Sequence, residues 1–154
     1  MTSQKTFRPL LICLPLLLLG CAASGPQFRG LAPVPENAAD IVLYRTDDLL
    51  DGGSAWRVDL DGKKIAVLRN TGYALVPVAP GSHTLELRAG GLVVSTFFPI
   101  ALPVSVEANA RVFVRAGVQL GAVIPPAYVG RKHALTQVPL ETAMSDLQGL
   151  KLSE

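Results

Sequence analysis

Trp56-Arg57-Val58-Asp59-Leu60-Asp61-Gly62-Lys63-Lys64-Ile65-Ala66-Val67-Leu68 is the stretch whose reading decides the fold. Trp56, Val58 and Leu60 alternate with Arg57 and Asp59. Successive strand residues point to opposite sides, so the three apolar side chains share one face. Asp61-Gly62 then stands where a tight hairpin turn needs positive φ, and Lys64 to Leu68 returns as a second strand.

The same grammar extends in both directions. Upstream, Ile41-Val42-Leu43-Tyr44 is β-branched and aromatic. Downstream, Asn70-Thr71-Gly72 marks a turn before Tyr73-Ala74-Leu75-Val76, and Ala79-Pro80-Gly81-Ser82 marks another before His83-Thr84-Leu85-Glu86-Leu87. Gly90-Gly91 separates that strand from Leu92 to Phe98, and Arg111 to Arg115 supplies one more. Pro99 and Pro103 cannot donate ladder hydrogen bonds, so the stretch between them reads as an edge, a bulge or a bend. His133 to Val138 closes a sheet, after which Leu140, Ala143, Met144 and Leu147 follow at helical spacing and Gly149 stops the helix. Seven or eight short strands without alternating helices predict an all-β fold. The expected form is an antiparallel β-sandwich over residues 38–150 with a short C-terminal helix, a small open barrel being the alternative.

Residues 1–20 read differently. Lys5 and Arg8 precede the apolar run Leu10 to Leu19, which is the layout of a secretory signal. Ten residues of helix reach only about 15 Å, short of a hydrocarbon core about 30 Å thick. Removing the leader takes away two of the 14 basic residues and leaves the remainder formally neutral against 12 acidic ones. The remaining basic residues are scattered, which argues against nucleic acid as a partner. Residues 21–37 are rich in Gly, Pro, Ala and Ser and read as a flexible tether.

Leu18-Leu19-Gly20-Cys21 resembles the bacterial lipobox. The resemblance implies diacylglyceryl transfer to the Cys21 thiol, cleavage between Gly20 and Cys21, and N-acylation of the new terminus. Sulfur is the nucleophile that accepts the lipid, which is why a cysteine is required. Ala22 stands where enteric lipoproteins retained at the inner membrane carry aspartate, which favours the outer membrane, facing the periplasm. Only Cys13 and Cys21 occur, so acylation of Cys21 leaves the fold to stand without a disulfide. Gly25-Pro26-Gln27-Phe28, Ile41 to Arg45, Leu60 to Lys64 and Pro80-Gly81-Ser82-His83 together resemble the bacterial lipoprotein family called domain of unknown function 2846. The middle is similar to the PEGA-type β-sandwich repeat, in which such turn motifs frame two hairpins.

Catalytic chemistry is not legible. His83 and His133 are the only histidines. Ser82 and His83 are strand neighbours on opposite faces, so His83 reads as a turn-end residue bonding backbone. Placing Gly62 at the glycine of a calcium loop puts Arg57 and Leu68 at ligand positions, so Asp59 and Asp61 read as a hairpin. Asp47, Asp48 and Asp51 before Gly52-Gly53 read as solvated turn residues, and as the carboxylates of an envelope hydrolase or transferase only in the alternative reading. No metal, cofactor or catalytic residue is expected beyond the covalent lipid on Cys21. The apolar stretch Val118 to Val129, containing Pro125-Pro126, reads as packing over the open end of the sandwich, with a partner or membrane contact as the alternative. The expected role is a non-enzymatic envelope module, bound to the membrane by its lipid and to an envelope protein or glycan by loops or an edge strand.

Overall fold

The computed structural model describes residues 22–48, 51–90, 98–124 and 128–153. Among them are β1 (Ala39–Arg45), β2 (Trp56–Leu60), β3 (Lys63–Leu68), β4 (Gly72–Val78), β5 (Gly81–Ala89), β6 (Ile100–Val106), β7 (Arg111–Ile124), β8 (Tyr128–Val138), α1 (Leu140–Leu147) and β9 (Lys151–Leu152). They form two sheets, ordered β8-β7-β1-β4-β9 and β3-β2-β5-β6. The fold is the all-β sandwich with a short C-terminal helix that the strand pattern predicts.

The opening hairpin forms as read, with Asp61 at φ 49 and Gly62 at φ 80 between β2 and β3. Trp56 and Val58 face inward and join Ile41, Leu43, Leu68, Leu85, Leu87 and Val114 in a core closed to solvent. Ala79-Pro80 behaves differently from the expectation drawn from PEGA-type repeats. It carries the chain from one sheet to the other, because β4 pairs with β1 while β5 pairs with β2. The Pro99–Pro103 region becomes β6, an edge strand in which Pro103 lies opposite Thr84, the place where a missing N–H is tolerated. Leu92 to Phe97 lies outside the described residues.

Two pairings are parallel, β1 with β7 and β4 with β9. β1 is buried along its whole length, and this explains its sequence. Ile41 and Leu43 face the sandwich core, whereas Val42 and Tyr44 face α1 with Phe113, Ala143 and Leu147. A strand covered on both faces reads as a continuous apolar run instead of an alternation. An eight-residue helix is marginal on its own, so α1 depends on this packing and on the Tyr44 hydroxyl, which donates to Asp146 at 2.8 Å. Gly149, at φ 87, turns the chain after the helix.

The segment expected to be a tether is bound to the domain. Ala23 N donates to Asn70 O at 3.0 Å, Gly25 N to Leu152 O at 3.1 Å, and Phe28 N to Leu150 O at 2.8 Å. Leu152 N returns a bond to Pro26 O at 2.9 Å. Gly25 is required here, since a Cβ would stand 2.5 Å from Leu152 O. Gly72 serves the other side of the seam, where a Cβ would collide with Ser153 Oγ and Arg69 O. Phe28 then seats its ring edge-on to Tyr73, centroids 5.4 Å apart. Glycine and proline suggested slack chain, but main-chain bonding needs no side chains, and close approach favours residues that have none.

Candidate functional site

The chemistry-bearing residues collect at the end of the sandwich where β1 finishes and β2 starts. Arg45 continues the inward face of Ile41 and Leu43 and is completely buried. Its guanidinium carbon lies 3.6 Å from the centroid of the Trp56 ring, a cation–π contact. Nη1 donates to Ser54 O at 2.7 Å and Nη2 to Asp51 O at 2.5 Å, while Nε has no hydrogen-bond partner among the described residues. The Trp56 Nε1 donates to Ser54 Oγ at 2.8 Å and to Asp51 Oδ2 at 3.1 Å. His133, reaching in from β8, bonds the same Oδ2 through Nε2 at 2.9 Å and stands edge-on to the Trp56 ring at 5.0 Å.

Burial pushes the Arg45 guanidinium below its ordinary pKa, against the opposing pull of Asp51, Asp48 and Asp47. Burial works to raise the carboxyl of Asp51. The His133, Ser54 and Trp56 donors outweigh it, and the net displacement is downward. Asp51 is therefore held as a carboxylate that organises the loop between β1 and β2. One oxygen serves two donors from different sheets, which closes the end of the core with polar groups bonded to one another.

The acidic patch is thus divided. Asp51 turns into the core, whereas Asp47 and Asp48 stay at the surface and are tied to Asn70: Asn70 Nδ2 donates to Asp47 Oδ1 at 2.8 Å, and Asp48 N donates to Asn70 Oδ1 at 3.1 Å. Asp47 and Asp48 line a cleft of about 340 Å³ with Thr46, Arg115, Gln119 and Thr136. A more apolar recess of about 580 Å³ lies beside α1, between Leu31, Phe113, Val138 and Met144.

His83 is in a different place. Its Nδ1 meets Asp61 Oδ2 at 2.7 Å and its Nε2 meets Ala79 O at 2.8 Å, so it ties two turns together at the opposite end of the sandwich. It is separated from His133 by the length of β2, about 17 Å at roughly 3.4 Å per residue. Asp59, the other acid of the supposed calcium loop, is buried under Arg57 and Arg88 on the outer face of its sheet. No cluster of three metal-ligating side chains occurs among the described residues. Leu18, Leu19, Gly20 and Cys21 lie outside the described residues.

The Asp61–His83 pair has a pH signature. The hydrogen bond from His83 holds the Asp61 carboxyl below its ordinary 3.8, and the hydrogen bond to Asp61 raises His83 above its ordinary 6.5. The histidine's contribution to stability is complete below 6.5 and disappears as pH rises through its elevated folded value. The aspartate's is complete above 3.8 and disappears as pH falls through its depressed one. The pair therefore stabilises most between those limits. The imidazole titration followed by NMR is expected to fall back toward 6.5 in Asp61→Asn, and an unchanged midpoint would contradict the pairing.

The sequence marks Asn70 only as a turn residue and Arg45 only through the family resemblance, and it does not mark Ser54 at all. The available signal was positional: Arg45 occupies the third inward site after Ile41 and Leu43, and a charge there demands partners. No family model, curated protein or solved structure matches this chain.

Proposed function

We propose that this chain is a lipid-anchored lipoprotein of the cell envelope, facing the periplasm, whose sandwich is a non-enzymatic binding or structural module. The observation that carries this reading is Leu18-Leu19-Gly20-Cys21 at the end of an apolar run that follows Lys5 and Arg8. Ala22 bridges to Asn70 and Ala23 is buried, so a lipid on Cys21 would lie next to the end of the sandwich that holds Asn70. Kinship with the lipoprotein family called domain of unknown function 2846 belongs to the same proposal and rests on the turn motifs.

The non-enzymatic half is supported by the state of the polar groups. The His133 side chain is 3% exposed, and Ser54 Oγ is engaged with Trp56 Nε1 and Asp51 O. A nucleophile and base need to reach substrate, and these face the core instead. Partner binding is better served by the cleft beside Asp47 and Asp48 than by strand addition to the four-stranded sheet. Its two edges carry Lys63 and Lys64 on β3 and Pro103 on β6, residues that discourage pairing.

Mass spectrometry of the mature N-terminus tests the anchor. The expected species begins at Cys21 with diacylglyceryl and N-acyl groups, and Cys21→Ser is expected to abolish both lipid and cleavage. An unmodified Cys21, or a mature start elsewhere, would overturn the reading.

A further inference from the structure

Arg115, Gly117 and Gln119 of β7 share one face of their strand, and Thr136 and Ala134 of β8 stand opposite the first two. Arg115 Nη1 donates to Asp146 of α1 at 3.3 Å, so this is the face on which the helix lies. The helix packs on Val42, Tyr44 and Phe113 and leaves Arg115, Gly117 and Gln119 to the cleft of about 340 Å³. Gly117 is the residue that the fold does not explain. Glycine weakens a strand interior, and a positive φ or a close approach of backbone usually accounts for it. Gly117 has neither: its φ lies outside the left-handed region, and a Cβ would meet no described atom within 4 Å. The space it leaves clear belongs to the cleft, whose floor there is bare backbone beside the single methyl of Ala134.

The same cleft carries both signs of charge. Thr46, Asp47 and Asp48 line it where the chain leaves β1, and Asp47 is exposed with the neutral Asn70 amide as its partner. The Arg115 side chain is 42% exposed and is tied to Asp146, not to Asp47. Arg45, the register partner of Ala116, borders the cleft as well, fully buried and with Nε unpartnered among the described residues.

We propose that this cleft binds a small zwitterion of the amino-acid type, a free amino acid or a di- or tripeptide, with its carboxylate on Arg115 and its ammonium on Asp47 and Asp48. A guanidinium takes a carboxylate through two parallel N–H bonds. An ammonium has three donors, which the two aspartates and the Thr46 hydroxyl can accept. The rest of the ligand lies over Gly117 and Ala134, and this accounts for the missing Cβ at 117. Thr136 and Gln119 complete the polar lining. The volume stands at the lower end of the range of small-ligand sites, about 300–1,000 Å³, which fits a compact ligand. A ligand with a single charge would leave one of the two groups of charges unanswered, so both termini are required. The proposal rests on the reading of this cleft as the binding surface of a non-enzymatic module.

Equilibrium dialysis of the full-length chain in non-ionic detergent tests it, against a pool of the free proteinogenic L-amino acids with diglycine and triglycine, the retained compounds being identified by mass spectrometry. At least one member is expected to be retained. Its N-acetylated and its C-amidated forms are each expected to bind on the order of tenfold more weakly or worse, the equivalent of one hydrogen bond to a charged group. Arg115→Gln and Asp47→Asn/Asp48→Asn are expected to lose as much. Gly117→Val is the sharper variant, because a β-branched residue suits a strand. Its thermal midpoint by circular dichroism is expected to hold or rise while retention disappears. Retention of nothing from the pool, equal retention of the blocked forms, or undiminished binding by Gly117→Val would overturn the proposal. A lowered midpoint in Gly117→Val would give the glycine a structural reason and overturn it too. Turnover of a bound peptide would overturn the non-enzymatic reading and leave the site standing, and none of these outcomes bears on acylation of Cys21, which the mass of the mature terminus decides separately.

Discussion

Replacing Trp56 by alanine is expected to destabilise the fold by about 3–5 kcal/mol. Trp56 is fully buried, spans the two sheets through His133, supports the Arg45 guanidinium on its face and satisfies Asp51 and Ser54 with its N–H. Alanine leaves a large void, and it also leaves a buried cation over empty space. Trp56→Phe separates these effects. It retains most of the packing and an aromatic face but removes the donor, so its expected loss is about 1–2 kcal/mol. The measurement is guanidinium denaturation followed by far-ultraviolet circular dichroism, because Trp56 is the single tryptophan and its fluorescence vanishes with it. A loss below about 1.5 kcal/mol for alanine would mean that this end of the core is held chiefly by something other than the Arg45–Trp56–Asp51 network.

The hairpin containing Trp56 was legible because everything that makes it is local. Alternation fixes the inward face, and Asp61-Gly62 supplies two positive φ values in succession. The C-terminal helix was legible for the same reason: Ala143 and Leu147 recur at the spacing that puts them on one buried face. What sequence could not convey was pairing between distant segments. Nothing near Ile41 says that its neighbour is Val112 or that the two strands run parallel, and a continuous apolar run is compatible with any buried strand. The seam holding residues 22–28 was hidden more thoroughly. It is built from backbone amides and carbonyls, which every residue has, and the glycines that admit it mimic the composition of a flexible linker.

The polar residues followed a similar division. His83 behaves as its turn position suggested, because both of its partners lie in neighbouring turns. Asp51 does not resemble Asp47 and Asp48 in the structure although all three share one loop. Its direction is set by His133, 82 residues away in sequence, and by a tryptophan whose indole N–H needs an acceptor. A loop of aspartates and glycines therefore closes one end of the core while presenting two of its acids to the cleft.

The second large effect is expected at Asp40, the register partner of Arg111 in the parallel pair of β1 and β7. Arg111 Nη2 donates to Asp40 Oδ2 at 2.6 Å and to Ala32 O at 2.9 Å, and Nε donates to Asp40 Oδ1 at 2.5 Å. Asp40→Ala removes two of these acceptors from a guanidinium that is 14% exposed, and breaking such a pair costs about 3–5 kcal/mol when the survivor stays buried. The expected loss is about 3 kcal/mol, the lower figure, because Arg111 keeps Ala32 and some access to water. Asp40→Leu/Arg111→Met decides what the pair is for. Replacing both charges by apolar groups of similar size is expected to recover most of the loss, since desolvating two ions offsets most of their attraction. If it does, the ion pair contributes little net stability, and its role is selection. Slipping β1 by one residue against β7 would strand Asp40 on a buried strand without its guanidinium, a penalty that a leucine and a methionine would not impose. A double variant as unstable as the single one would instead make the pair a stabiliser in its own right.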